Sequence, residues 1–257
     1  MVVLALDTTS RQGSSAVAVD GRVVLELASD ASRPQAARVP GELQAVLSGA
    51  GLALRDVDAF AVAVGPVSFT GLRVGIATMQ GLAFDAGKPL VGISALDALA
   101  TIASEHGAGP GLRTATWVDA WRGEVYAALY DGITEIETVT VERPQDILER
   151  WSAGLTGPSG GRPGKETGRE TGEETGGLTS GYLFIGDGVA NQVVAIGEVL
   201  GRRAAMAPAL TPALAGAIAR RAAAALAVGA RPAAEDIRPL YVRRPDAEIA
   251  RDARTTR

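Results

Sequence analysis

The feature that most constrains this chain is an echo between its two halves. Leu4-Ala5-Leu6-Asp7 ends an apolar run at an aspartate, and hydroxyl residues follow it. Ser14 to Val19 then alternates as a second strand, and Asp20-Gly21 turns it back into a third, Val23 to Leu27. Thr114 to Asp119 repeats the layout, with Glu124 to Tyr130 as the return strand and Asp131-Gly132 as its turn. Asp-Gly between alternating runs is a strong hairpin signal. A strand, aspartate, turn and strand used twice implies two α/β lobes, each a mixed sheet with flanking helices. The division falls at residues 1–108 and 109–257. The copies differ at the turn: Thr8, Thr9 and Ser10 follow Asp7, whereas Trp121 and Arg122 stand just beyond Asp119.

Between the copies lies Val62-Ala63-Val64-Gly65-Pro66-Val67-Ser68-Phe69-Thr70-Gly71-Leu72-Arg73-Val74-Gly75. Ala59 to Val64 reads as a buried strand, and Leu72 to Ala86 as a helix closed by Gly87 and Pro89. The sharp link offers free amides at a helix N-terminus, so Ser68, Thr70 and Arg73 are candidates for an anion cradle. The same residues also suit a plain tight turn, and a Walker loop is excluded because no Lys-Ser/Thr ending is present. The helix is apolar on two sides: Leu72, Gly75, Ile76, Met79 and Ala83 on one, Val74, Ala77, Gly81 and Phe84 on the other. Such a helix is covered twice. Its second cover is either this chain or another protein, and Gly75 and Gly81 suggest a close backbone approach. A helix within Ser32 to Gly51, starting or kinking near Pro40, carries a second stripe: Val39, Leu43, Val46 and Leu47. Arg38, Glu42, Gln44 and Ser48 form its polar face.

Composition removes several function classes. The net charge of −4 gives no global basic field for nucleic acid, so RNA binding by this chain alone is disfavoured, though a local arginine patch is not. No cysteine is present, which excludes disulfides and thiolate chemistry, and His106 is the sole histidine, read as a helix-end residue. No metal site and no cofactor are expected. The opening residues run into a strand without a basic leader or membrane span, so the expected compartment is the cytoplasm. Ser94 with Asp97 reads as a capping arrangement for a helix to Glu105. Ser152 to Gly181 carries near-tandem Glu-Thr-Gly units and almost no apolar residues, which reads as a flexible surface insertion. Gly186-Asp187-Gly188 reads as a turn, and Thr211-Pro212 as the cap of an alanine-rich helix to about Val228.

An aspartate closing a buried strand, with hydroxyls and a hairpin behind it, is how actin-like ATPases present a phosphate loop, and the same residues equally suit a turn in which Asp7 and its hydroxyl neighbours satisfy amides. Leu4-Ala-Leu-Asp-Thr-Thr-Ser, Gly65-Pro-Val-Ser-Phe-Thr-Gly-Leu-Arg-Val-Gly, Gly81-Leu-Ala-Phe, Arg122-Gly-Glu-Val-Tyr and Pro239-Leu-Tyr-Val-Arg together resemble the TsaB (YeaZ) family. The match covers nearly the whole chain outside Ser152 to Gly181. Val67 departs from it, standing where that family has glycine. The resemblance implies two actin-like (ASKHA) lobes. It also implies a non-catalytic subunit that pairs with TsaD and cooperates with the ATPase TsaE in making N6-threonylcarbamoyladenosine at position 37 of tRNA. By the same resemblance Asp7, Thr8 and Thr9 are a vestigial phosphate loop. The helix stripes Val39, Leu43, Val46, Leu47 and Leu72, Gly75, Ile76, Met79 would meet TsaD, and the chain alone could form a homodimer. The residues also permit an active actin-like ATPase or small-molecule kinase using Asp7 and Asp119 with magnesium. A metallopeptidase of the M22 type lacks its ligands.

Overall fold

The structure is a computed structural model that describes residues 1–10, 12–67, 69–106, 111–155 and 181–242. Its centre is a duplicated sheet. In the first, β1 (Val2–Asp7) pairs antiparallel with β2 (Ser14–Val19), and β2 with β3 (Arg22–Ala28). On its other side β1 runs parallel to β4 (Ala59–Ala63), which is parallel to β5 (Leu90–Ile93). The second sheet is built from β6 (Leu112–Asp119), β7 (Val125–Asp131), β8 (Thr134–Glu142), β9 (Gly181–Ile185) and β10 (Ala204–Met206). Their orders, β3-β2-β1-β4-β5 and β8-β7-β6-β9-β10, are the same topology. Register agrees too: Asp7 faces Ser14 and Asp119 faces Val125, each the last residue of a central strand opposite the first of its hairpin partner. The two lobes expected from the echo are present as mixed, actin-like sheets.

Central strands are apolar on both faces because helices cover both. The two faces of the first sheet differ in size. Leu4, Leu6, Phe60 and Val62 pack under α1 (Gln35–Gly49) and α2 (Phe69–Ala86). Val3, Ala5, Ala16, Ala18, Ala59, Ala61 and Ala63 form the opposite face, which is covered by α6 (Ala215–Ala227). Small residues on both partners let the alanine-rich α6 lie close to the sheet. On the second sheet, α3 (Ala95–Glu105) covers one face. The outer face holds an aromatic cluster, with Trp117 edge-on to Phe184 at 5.2 Å and Trp151 stacked on Tyr182 at 5.2 Å. Trp151 belongs to α4 (Pro144–Leu155), which lies beside α5 (Val193–Leu200).

Two helices therefore cross between halves of the sequence. α6 comes late in the chain yet rests on the first sheet, while α3 comes early and rests on the second. Where they meet, Arg221 Nη2 lies 3.4 Å from Asp97 Oδ2 and Arg220 Nη2 lies 2.7 Å from Glu105. Asp97 Oδ1 also accepts the Tyr130 hydroxyl at 2.9 Å, so Asp97 joins lobes rather than completing a capping box. Ser94 alone caps α3, accepting the Leu96 amide at 3.2 Å.

Several boundaries differ from the sequence expectation. α4 continues to Leu155 and β9 begins at Gly181, so only residues 156–180 of the Ser152–Gly181 insertion lie outside the described residues. α2 starts at Phe69 and α1 at Gln35, with Pro40 inside α1. β10 carries no alternation and was not expected; it exists because it pairs with β9.

Candidate functional site

The first loop is the natural place to look for chemistry. Asp7 ends β1 with 1% of its surface exposed. Its Oδ1 accepts the Thr9 amide at 2.7 Å and the Thr9 hydroxyl at 2.5 Å, and its Oδ2 accepts the Ser10 hydroxyl at 3.0 Å. Ser10 Oγ in turn accepts the Gly13 amide at 2.9 Å. Burial pushes the Asp7 carboxyl above its ordinary range, and the bonds from Thr9 and Ser10 pull it partly back. The loop is thus closed on its own aspartate. Thr8 points the other way, and its buried hydroxyl finds no partner among the described residues. A Cβ on Gly75 would stand 2.2 Å from that hydroxyl. A close neighbour is present at Gly75, but it is the Thr8 side chain of this loop rather than another backbone, and the approach expected at Gly81 is absent, since a Cβ there would meet nothing within 4 Å.

A cleft of about 400 Å³ opens between the lobes beside this loop, lined by Thr9, Ser10, Leu99, Val118, Asp187 and Leu214 among others. At its floor the first amides of α6 are already taken. Ser14 Oγ accepts the Leu214 and Ala215 amides at 3.1 and 3.0 Å, and Glu26 Oε1 accepts the Gly216 amide at 2.8 Å. These residues, not Thr211-Pro212, cap the helix. A carboxylate at a helix N-terminus is electrostatically favoured, so Glu26 holds the position an external anion would seek. Sequence reasoning missed Ser14 and Glu26. The available signal was a charged residue inside the apolar run of β3.

The second loop is built differently. Asp119 Oδ1 accepts the Trp121 amide at 2.8 Å, and the Asp119 amide donates to Asp187 Oδ1 at 3.0 Å. Trp121 and Arg122 both have positive φ, 61° and 59°, a conformation costing about 1–2 kcal/mol per non-glycine residue. Trp121 is 64% exposed. Partial burial and the Asp119 charge push Asp187 up, opposed by the bond from the Asp119 amide. Gly186 has φ 118°, and a Cβ there would meet the Trp117 carbonyl oxygen at 1.9 Å, so no other residue fits that turn. Asp7 and Asp119 belong to separate hydrogen-bonded loops. Among the described residues no group of three His, Cys, Asp or Glu is placed to hold a metal.

The helix stripes were expected to face outward, and that expectation is corrected. Val39, Leu43, Val46, Leu47, Leu72, Ile76 and Met79 are all buried in the chain's own core, and Gly75 is buried against Thr8. They face inward because Leu4, Leu6, Phe60 and Val62 need that cover. Arg38, assigned to the polar face, is buried too. Its Nη1 pairs with Glu42 at 3.0 Å, and Glu42 also accepts the Ser29 hydroxyl at 2.8 Å. The surface that α1 and α2 do present is a groove of about 660 Å³. Its walls include Pro40, Leu54, Ala77 and Gly81, and the largely buried Leu43 and Leu47 of the α1 stripe reach its floor. A Cβ on Gly81 would meet nothing within 4 Å, and Phe84 on the same helix is 82% exposed.

Of the anion-loop candidates, Ser68 and the Thr70 side chain lie outside what is described. Arg73 reaches Tyr241 at 3.4 Å, and Leu240 bonds to the Val64 carbonyl at 2.7 Å, so the late extended stretch is tied beside this loop. Gly65 has φ 107° and Val67 is not among the positive-φ residues. His106 caps α3 as expected, its Nδ1 lying 2.8 Å from the Ile102 carbonyl oxygen. No helix among the described residues is long and apolar enough to cross a membrane.

Comparison with known proteins places this architecture. Residues 26–251 match the family described as TsaD, tRNA N6-adenosine threonylcarbamoyltransferase. The tRNA threonylcarbamoyladenosine biosynthesis protein TsaB of Escherichia coli is 37% identical over 156 residues, 58% of this chain and 66% of that protein. TsaB of Haemophilus influenzae is 38% identical over 126 residues, 49% of this chain and 52% of that one. The aligned part thus spans less than two thirds of either relative. The solved structure of YeaZ from Pseudomonas aeruginosa covers 93% of this chain and 99% of its own, with TM-score 0.68 and 27% identity. Duplicated sheets, loop residues and these likenesses agree, and the chain belongs to the TsaD family and, within it, to its TsaB/YeaZ members.

Proposed function

We propose that this chain is a non-catalytic cytoplasmic subunit in tRNA threonylcarbamoyladenosine biosynthesis, pairing with the transferase TsaD and activating it together with TsaE. The observation that carries the non-catalytic part is the closed first loop. Asp7 is committed to Thr9 and Ser10, and Glu26 and Ser14 occupy the α6 amides. A phosphate approaching there would meet carboxylates and spent donors. Trp121 and Arg122 crowd the matching turn of the second lobe. This favours a scaffold over an ATPase or kinase using Asp7 and Asp119. It needs no cofactor of its own and meets tRNA through the complex.

The pairing part rests on the α1–α2 groove and Phe84, with two copies of the chain joining there when TsaD is absent. The buried stripes Val39, Leu43, Val46, Leu47 and Leu72, Gly75, Ile76, Met79 act by holding α1 and α2 at the spacing that shapes it. Co-expression with TsaD and TsaE, followed by size-exclusion chromatography and assay of the modified nucleoside, tests both parts. A stable complex is expected, dependent on Phe84, with negligible ATP turnover by the chain alone. Steady turnover abolished by Asp7→Ala would overturn the scaffold reading in favour of the ATPase.

A further inference from the structure

The first lobe is completed by the far end of the described chain. Residues 234–242 return to α2 after a short turn, Ala234–Asp236. Gln80 Nε2 donates to the Ala234 and Ile237 carbonyls at 2.8 and 3.1 Å, and the Leu240 amide donates to the Val64 carbonyl at 2.7 Å. Ala234 is buried in the core beneath α1 and α2, and Ile237 packs against it. The spacing along α2 fixes which flank this stretch occupies. Leu72, Ile76, Met79 and Ala83 face the sheet, while Thr78 and Leu82 turn toward α1 in the groove. Arg73 and Gln80, two helical turns apart, share the opposite flank, and Phe84 stands one turn beyond Gln80. The exposed crest of α2, with Ala77, Gly81 and Phe84, is therefore bounded by α1 on one side and by residues 234–242 on the other. Leu240 and Tyr241 remain 36% and 46% exposed on that side, and the Tyr241 hydroxyl lies 3.4 Å from Arg73. Phe84 and Tyr241 thus mark the two ends of one exposed flank, about 16 Å long at 1.5 Å per residue. Aromatic and aliphatic side chains of this kind are the anchors that protein interfaces use.

We propose that residues 234–242 form the second wall of the pairing surface, with Leu240 and Tyr241 as direct contacts of TsaD. The surface is then composite, α1 and α2 coming from one end of the chain and this wall from the other. This rests on the pairing reading above and adds what controls it. The wall is held to α2 and to the end of β4 by the Gln80 and Leu240 hydrogen bonds, so its docking sets how much surface a partner meets. Loosening it leaves the core under α1 and α2 closed by their own side chains, yet removes half of the flank on which Phe84 stands.

Isothermal titration with TsaD and amide hydrogen exchange, both on the full chain, test it. The combined Leu240→Ser and Tyr241→Ala variant should bind TsaD at least about tenfold more weakly than the parent, with an unchanged melting temperature because both side chains stand partly in solvent. Gln80→Leu keeps the size of the side chain and removes both donors to the wall, and it should weaken TsaD in the same direction. In the parent, TsaD should slow exchange of the Leu240 and Tyr241 amides, a readout that needs no variant to fold. If the parent binds and Phe84→Asp does not, while the double variant binds like the parent and exchange at 240–241 ignores TsaD, this inference is overturned and the pairing stands. A parent that does not bind TsaD overturns the pairing and this extension of it together.

Discussion

Thr8 and Gly75 meet where a single methyl group decides the packing. A Cβ at 75 would lie 2.2 Å from the Thr8 hydroxyl and 3.2 Å from its Cβ. Gly75→Ala should therefore destabilise by about 1–3 kcal/mol through overpacking, despite the helix propensity it gains. Thr8→Ala removes a buried hydroxyl that has no partner among the described residues, so it should cost less than about 1 kcal/mol. The double variant should recover most of the Gly75→Ala loss, and urea denaturation of all four proteins reads the coupling. Additive losses would mean the strain lies elsewhere. Asp7 makes a second residue-scale prediction. Its pKa is raised above 3.8, burial being the largest cause. A carboxyl raised in the folded state stabilises the fold below its unfolded pKa, and that contribution is lost as pH rises through the folded pKa. Asp7→Asn carries no charge, so its stability relative to the parent should improve as pH climbs above 3.8. Denaturant midpoints at successive pH values give this difference, and a trend in the parent's favour would show that the loop prefers the ionised form.

At the scale of elements, the N-terminus of α6 is held by the opposite lobe rather than by its own sequence. Glu26→Ala frees the Gly216 amide and removes a negative charge from the positive end of the helix dipole. A loss of about 1–2 kcal/mol is expected, read as a lowered denaturation midpoint. Ser14→Ala, which strips the Leu214 and Ala215 amides, should cost a similar amount. No change in either variant would mean that water replaces these caps at no cost. Helices α1 and α2 separate in the same way into inner and outer sides. Leu43 is 4% exposed, so Leu43→Asp places a carboxylate in the core at a cost of several kcal/mol and should unfold the isolated chain. Phe84→Asp should leave circular dichroism and melting unchanged while abolishing co-purification with TsaD. A folded Leu43→Asp protein, or a Phe84→Asp protein that still pairs, would reverse the assignment of faces.

Across the whole molecule, the lobes are joined by exchange. α3 and α6 each rest on the sheet of the other half, and the Arg221–Asp97 and Arg220–Glu105 pairs bind them where they meet. Separate expression of the two sequence halves would strip the alanine face of the first sheet of its cover. Residues 156–180, between α4 and β9, are almost free of apolar side chains. Their composition cannot support a core. Replacing them with a short Gly-Ser linker should leave the melting temperature within about 2–4 °C, a change of about 1 kcal/mol for a chain of this size. A larger drop with loss of solubility would make the segment structural.

The sequence by itself determined the duplicated hairpins, the central aspartates, most strands and helices apart from β10 and several boundaries, and the family. These follow from local periodicity, Asp-Gly turns and contiguous motifs, all of which act over a few residues. Helical glycine suggested close backbone approach at both Gly75 and Gly81; Gly75 does meet a neighbour, the Thr8 side chain, but a Cβ on Gly81 would meet nothing within 4 Å. What the sequence could not fix was direction. An apolar stripe such as Val39, Leu43, Val46 and Leu47 has the same spacing whether it meets a partner or its own sheet. Only the placement of Leu4, Phe60 and Val62 beneath it decides that it faces inward. Arg38 is polar by residue type and buried by tertiary position, and Glu26 caps a helix 190 residues away. The closed state of the Asp7 loop, the capped α6 amides and the crossing of α3 with α6 are contacts between distant segments. No local pattern encodes them, because each depends on where two sheets bring unrelated stretches together.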